Sequence, residues 1–398
     1  MTFKRILFLA AAVFGAAVSS FAKDANYRVT SPDGHISATV TVGEDIRYSV
    51  SRDEQTLIAP SAISMSLSDG IVFGRNDKVR KVVKTSFDKT VPAVAYKKAE
   101  VRDNYNQISL NFKEFSLVFR AYDDGVAYRF VSRLDKKKEY EVISEQSEFN
   151  FGVDRQAFIP YVNSGAKTIE GQFFNSFENT YTVQNLSQWR KDRLAFLPLA
   201  VTADNGVKVV ITDADVTNYP GMQIIGAEGS TSLRGMFAPY PKVIEQGGHN
   251  MLQGMIRERE NFIAKVAGGE TFPWRVIMVS TSDAQLAVND MVWKLSPAQD
   301  AGADYSWVKP GKVAWDWWND WNLYDVDFKA GINNDTYKYY IDFAADHGIE
   351  YVILDEGWAV NLQADLFQVI PEINLQELVD YGKERRVGII LWAGYWAF

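Results

Sequence analysis

From about residue 25 to 290 the chain alternates apolar and polar positions with period two, in short segments broken by turn residues. Ile36–Val42, Ile108–Phe112, Phe115–Ala121, Val126–Val131 and Val207–Thr212 each place β-branched or aromatic side chains on one face, the pattern of half-buried strands. Asp33-Gly34 and Asp124-Gly125 read as hairpin turns. This pattern predicts an antiparallel sandwich, and the length of the region calls for extended sheets rather than a small one. After a short helical linker at Ala284–Leu295 the period changes. Three near-continuous apolar segments, Gly311–Trp318, Glu350–Trp358 and Val387–Trp392, alternate with helical periods over 333–347 and 375–386. Asn333 and Asn374 stand where N-caps belong, Glu377 would complete a capping box with Asn374, and Lys383, Arg385 and Arg386 fill the last turn of the second helix. Strand, helix, strand, helix, strand with continuous apolar strands is the signature of a parallel sheet covered on both faces. A (β/α)8 TIM barrel needs eight such units, so the chain reads as an antiparallel β-sandwich followed by the first three strands of an incomplete barrel.

Composition narrows the function classes. The 398 residues are 47% hydrophobic and 23% charged, with a formal net charge of −8; no basic stripe appears, so no nucleic-acid partner is expected. There is no cysteine, which excludes disulfides, thiolate catalysis and cysteine-ligated zinc. His35, His249 and His347 are too far apart in sequence to suggest a histidine-rich metal site. No Gly-x-Gly-x-x-Gly follows a strand, which argues against dinucleotide binding. Residues 1–22 carry Lys4 and Arg5, an apolar run from Ile6 to Val18 and a Ser20-Phe21-Ala22 site, the makeup of a secretory signal peptide. The run is short of the roughly 20 residues that span a bilayer. Export to the periplasm or the medium is therefore expected, with a mature chain from Lys23 that has no membrane anchor.

Eight of the 11 tryptophans lie after residue 306, clustered where apolar strands give way to their loops. Asp316 and Asp320 follow the first strand, and Asp355 and Glu356 follow the second. In α/β barrels the functional groups sit at these strand ends. Flat aromatic faces beside carboxylates suit a sugar, which has an apolar C–H face and a rim of hydroxyls. Trp318, Trp321 and Trp358 are the cleft candidates, with other tryptophans filling the core. The carboxylates could bind hydroxyls, hold a cation, act as acid or base, or simply cap and order their loops; spacing alone does not separate these roles. Asp123-Asp124-Gly125 reads as a turn rather than a catalytic pair. Glu178 lies in a loop rich in aromatics and amides, Ser176–Tyr181, and composition does not distinguish it from Glu170. A sandwich that binds glycans without cleaving them is the alternative to an enzyme.

Five ordered motifs carry a family resemblance over essentially the whole mature chain. They are Arg-Ala-Tyr-Asp-Asp-Gly-Val-Ala-Tyr-Arg-Phe at 120–130, the segments Ile211–Met222 and Thr271–Val276, Lys-Pro-Gly-Lys-Val-Ala-Trp-Asp-Trp-Trp-Asn at 309–319, and Gly331–Trp358. Together they resemble glycoside hydrolase family 97, whose members are α-glucosidases and α-galactosidases. The resemblance implies a β-super-sandwich over 23–295, a catalytic barrel beginning at 296–398, oligosaccharide substrates and a calcium ion. Its Ser-Phe-Glu-x-x-Tyr motif maps one calcium ligand to Glu178. Trp318, Trp321, Asp355, Glu356 and Trp358 would shape the sugar cleft. The family's catalytic carboxylates lie on later barrel strands, beyond Phe398, so no catalytic residue is assigned here and these residues alone are expected to be silent.

Overall fold

The computed structural model describes residues 24–298, 302–360 and 362–397. The leader read over residues 1–22 lies outside the described residues. The period-two segments fold as strands in two nine-stranded sheets, antiparallel throughout. One sheet runs in the order Ala25–Thr30, Ile36–Val42, Ile46–Arg52, Gln55–Leu67, Glu139–Asn150, Ser232–Met236, Gln223–Ile225, with two short strands attached. The other runs from Thr182–Asn185 through Gln156–Ile159, Leu199–Thr202, Lys208–Ala214, Trp274–Ser280, Gly125–Ser132 and Phe115–Tyr122 to Glu100–Asn111 and Lys81–Pro92. Tyr122 pairs with Gly125, so Asp123 and Asp124 are the two loop residues of a hairpin, the role their sequence context assigns.

The inward residues of both sheets form one core. Its centre is aromatic: Tyr48 packs on Phe119 and Tyr128 at ring separations of 5.9 and 5.1 Å, and Phe115 stacks on Phe112 at 4.3 Å. The sheets are also tied by a buried ion pair. Arg275, on the strand Trp274–Ser280, donates from Nε and Nη2 to both carboxylate oxygens of Glu145, on the strand Glu139–Asn150, at 2.7 and 2.6 Å. Tyr219 and Ser147 hydroxyls donate to the same carboxylate at 2.8 and 2.5 Å. A fork of this kind saturates the carboxylate that burial would otherwise make costly.

Two further units leave this core. A hairpin of Pro241–Gly247 and Gln253–Arg259 forms its own two-stranded sheet. The expected linker helix is two short helices, Asp283–Ala287 and Met291–Leu295. The break comes at Asn289, whose side chain accepts from Met291 N at 2.9 Å. Asp290 accepts from Tyr96 Oη at 2.9 Å and from Lys98, which fastens the linker to the sandwich.

The C-terminal unit is a three-stranded parallel sheet, Val313–Trp315, Tyr351–Leu354 and Gly388–Leu391, with the second strand in the middle. Helices Asn334–Asp346 and Leu375–Glu384 connect the strands and bury Tyr337, Ile341, Ala344 and Leu378 against Val352 and Leu354. Asn333 and Asn374 cap the helices as expected, accepting from Thr336 N at 2.9 Å and Glu377 N at 3.1 Å. The reciprocal half of the expected capping box is not used: the Glu377 carboxylate accepts instead from Lys338 at 2.5 Å and Asn334 at 2.9 Å. A small hairpin of Ala359–Val360 and Asp365–Val369 is inserted before the second helix, an element that no apolar period announces. Register places Trp315, Ile353 and Ile390 side by side on the face away from the helices. That face is open, with Val313, Trp315 and Ile390 at 44%, 38% and 39% exposure. Among the described residues no helix is long and apolar enough to cross a membrane.

Candidate functional site at the strand ends

The C-terminal ends of the three parallel strands gather the acids and tryptophans that the sequence singled out. Asp316 follows the first strand and is fully buried. Tyr337 Oη donates to its Oδ2 at 2.6 Å, and Trp317 N donates to Oδ1 at 2.7 Å, capping the turn Trp317–Asn319. Burial is the main influence on this carboxyl and raises its pKa above the ordinary 3.8, although the hydrogen bonds from Tyr337 and Trp317 pull the other way. Tyr337 in turn is pushed well above its usual value by burial and by the Asp316 charge. Asp316 is therefore an ordering acid, held beneath the surface. Asp320 and Trp321 continue the turn in left-handed backbone, at φ 53° and 50°, which returns Trp321 N to Asp316 O at 3.1 Å.

Asp355 and Glu356 end the second strand. Asp355 is 8% exposed and accepts from the indole of Trp315 and from Glu356 N, the latter at 2.6 Å. Trp318 lies over Trp315 in a stack with rings 5.8 Å apart and is 79% exposed. Trp321 packs edge-on to Trp317 at 5.0 Å and is half-buried against the helical core. Trp358 is placed differently from the other cleft candidates. It is only 4% exposed and its indole donates to Trp392 O at 2.8 Å, so it packs beneath the site and is not on an open wall. Between Glu356 and Trp358, Gly357 has φ 114°, and a Cβ there would lie 2.5 Å from Ile332 Cδ1. The glycine lets the backbone reverse so that Glu356 faces outward and Trp358 inward.

Glu356 meets residues that sequence reasoning missed. The tip of the hairpin Pro241–Arg259 reaches the strand ends, where Asn250 Nδ2 donates to Glu356 Oε1 and His249 Nε2 lies 3.6 Å from Oε2. Trp396 N donates to Leu252 O at 3.3 Å, so the same tip also touches the segment after the third strand. At the base of the hairpin, Arg259 approaches Glu170 at 3.7 Å. No local signal marks this contact; Gly247-Gly248 announces a turn but not what the turn touches.

Glu178 sits in the loop Ser176–Tyr181 of the sandwich. Its loop is pinned by Asn175, which accepts from Phe177 N at 2.6 Å, by Asn179, which donates to Tyr161 O at 2.8 Å, and by Tyr181, which donates to Pro198 O at 3.1 Å. The Glu178 side chain itself is exposed. Among the described residues no group of three or more His, Cys, Asp or Glu side chains is gathered to hold an ion. Calcium takes six to eight oxygens, so these residues alone do not make such a site.

Both the sandwich and the parallel unit match a known family. Residues 29–297 match the family profile described as glycosyl-hydrolase 97 N-terminal, and residues 317–397 match glycoside hydrolase 97. The chain belongs to glycoside hydrolase family 97. Within this family it is 51% identical over 374 residues to a retaining alpha-galactosidase of Bacteroides thetaiotaomicron, covering 94% of this chain and 56% of that protein. It is 26% identical over 378 residues to a probable retaining alpha-galactosidase of Streptomyces bingchenggensis, covering 91% of this chain and 51% of the relative. A family 97 enzyme from Pseudoalteromonas sp. strain K8, solved with acarbose, superposes with a TM-score of 0.73 at 24% identity, over 91% of this chain and 53% of that one. A beta-arabinopyranosidase superposes with a TM-score of 0.69 at 21% identity, over 93% of this chain and 56% of that one. At these identities the structural likeness is one of fold. The family 97 chain spans about half the length of the curated relatives it matches.

Proposed function

We propose that this family 97 protein is an exported retaining α-galactosidase acting on oligosaccharides. The observation that carries the reading is the group at the parallel strand ends, Trp315 and Trp318 stacked beside Asp355 and Glu356, in a chain 51% identical to a retaining alpha-galactosidase. The three parallel strands are read as the first of a (β/α)8 barrel, with the sandwich over 23–295 and the barrel from 296. Their open face is where further strands would pack. In this reading Trp318 offers its ring to the apolar face of a sugar, and Asp355 and Glu356 bind hydroxyls. The acids that cleave the bond come from barrel strands outside these 398 residues. Export rests on the leader pattern of residues 1–22. Calcium rests on Glu178, which would supply one of several oxygen ligands.

The test is steady-state hydrolysis of p-nitrophenyl α-galactoside and α-glucoside by the full-length enzyme, with product anomers followed by proton NMR. The α-galactoside is expected to give the higher kcat/KM by roughly tenfold or more, and α-galactose is expected to appear first, as retention requires. Saturable galactoside binding without turnover would replace the enzyme with a glycan-binding protein. For calcium, Glu178→Gln in the full-length enzyme is expected to weaken calcium affinity roughly tenfold or more; unchanged affinity removes Glu178 from the site.

A further inference from the structure

The hairpin Pro241–Arg259 belongs to the sandwich by chain order, yet its tip meets the end of the second parallel strand. Its geometry is particular. Gly248, Asn250 and Met251 all have left-handed backbone, at φ 70°, 47° and 62°. Asparagine is the most tolerant non-glycine residue at such a position, so Asn250 fits the turn while presenting an amide. The Asn250 Nδ2 group has two hydrogens and no acceptor capacity. It donates to Glu356 Oε1, and it lies 3.2 Å from His249 Nε2. Asn250 thus stands against both the Glu356 carboxylate and the His249 ring, whose Nε2 also lies 3.6 Å from Glu356 Oε2. The ring is 74% exposed, whereas Glu356 is 17% exposed. One amide contacts both a carboxylate and a histidine ring, at the end of the strand that also leads into Asp355.

We infer that Asn250 is a positioning residue that sets His249 and Glu356 as a donor–acceptor pair for a hydroxyl of the bound sugar, so that the sandwich hairpin supplies part of the substrate-recognition wall. The glycan reading of the site is assumed here. The hydroxyl would donate to Glu356 and accept from an N–H of the His249 ring, a match that an axial or equatorial change at that carbon would break.

The experiment uses full-length enzyme and p-nitrophenyl α-galactoside, with kcat, KM and melting temperature measured for four variants. Loss of a hydrogen bond to a charged group corresponds to roughly a tenfold loss of binding. Asn250→Ala is therefore expected to raise KM roughly tenfold with kcat within about twofold of wild type. Asn250→Asp keeps the tolerance for left-handed backbone but sets a carboxylate against Glu356, and is expected to raise KM further. His249→Ala is expected to raise KM several-fold, and His249→Gln, which keeps an N–H donor, to restore part of it. Wild-type KM in Asn250→Asp and His249→Ala overturns the inference while the α-galactosidase reading stands. Losses that merely follow falling melting temperatures assign the tip a structural role and overturn it as well. Wild-type enzyme without activity on either p-nitrophenyl glycoside overturns both readings together.

Discussion

In the sandwich, Tyr48, Phe119 and Tyr128 pack ring on ring and none is more than 1% exposed. In the parallel unit, Trp315 and Trp318 stack at 5.8 Å with 38% and 79% of their surfaces in solvent. The same contact has different consequences. An aromatic stack closed on all sides contributes packing and area burial, whereas one left open keeps a flat face for a planar partner. The buried acids differ in the same way. Glu145 is enclosed by the guanidinium of Arg275, and its pKa is lowered: burial pushes it up, but that charge and its hydrogen bonds overcome the effect. Asp316 is enclosed by a tyrosine hydroxyl and backbone amides, with no ion-pair partner among the described residues, and burial leaves it raised. Glu145 is closed off by a cation, whereas Asp316 is a desolvated acid beneath the strand ends.

The largest expected effect tests the closed side. Arg275→Ala leaves Glu145 buried without its cation and is expected to destabilise the protein by about 3–5 kcal/mol in denaturant unfolding; a loss under about 1 kcal/mol would mean that the pair is not the strut between the sheets. Next comes acidification, which should act on these two acids in opposite directions. The folded pKa of Glu145 is depressed, so its contribution is present above its ordinary value of 4.5 and is lost as pH falls through the folded value. The folded pKa of Asp316 is raised, so its contribution is complete below 3.8 and is lost as pH rises through the folded value. Hydrogen exchange compared between neutral pH and about pH 3, corrected for intrinsic rates, is expected to show the sandwich losing protection before the parallel unit. Asp316→Asn should remove the acid-side gain from the parallel unit alone; unchanged exchange there breaks the contrast. The smallest effect on stability is expected for Trp318→Ala, within about 0.5 kcal/mol because the ring is at the surface. The same change should raise KM several-fold in the full-length enzyme, and an unchanged KM would return Trp318 to the ordinary surface.

What could be read in advance was local. Alternation at Ile36–Val42 and Phe115–Ala121 places strands where the structure has them, and Asn333 and Asn374 cap helices because a short polar side chain beside an apolar helical period has few other uses. What could not be read was long-range. Trp358 has the same neighbours in sequence as a cleft tryptophan, and what draws it inward is the apolar core around it and the carbonyl of Trp392, just after the next strand. Asp316 and Glu356 both follow apolar strands, and their difference lies in Tyr337, a helix residue, and Asn250, a hairpin residue more than 100 positions away. The hairpin's strands carry exposed Val243 and Ile244, so their pattern gives no hint of a docking role.

Gly357 ties the placement of Glu356 and the packing of Trp358 to a single backbone pivot. Because a side chain there would strike Ile332 and strain the φ of 114°, the positions before and after it cannot drift independently. Variation that retunes ligand choice at this strand end is then channelled to the partners of Glu356 on the hairpin, where turn residues can change without disturbing Trp358. Lineages of this protein should diversify at 249 and 250 sooner than at 357, with the hairpin tip the variable partner of this strand end and the glycine its fixed point.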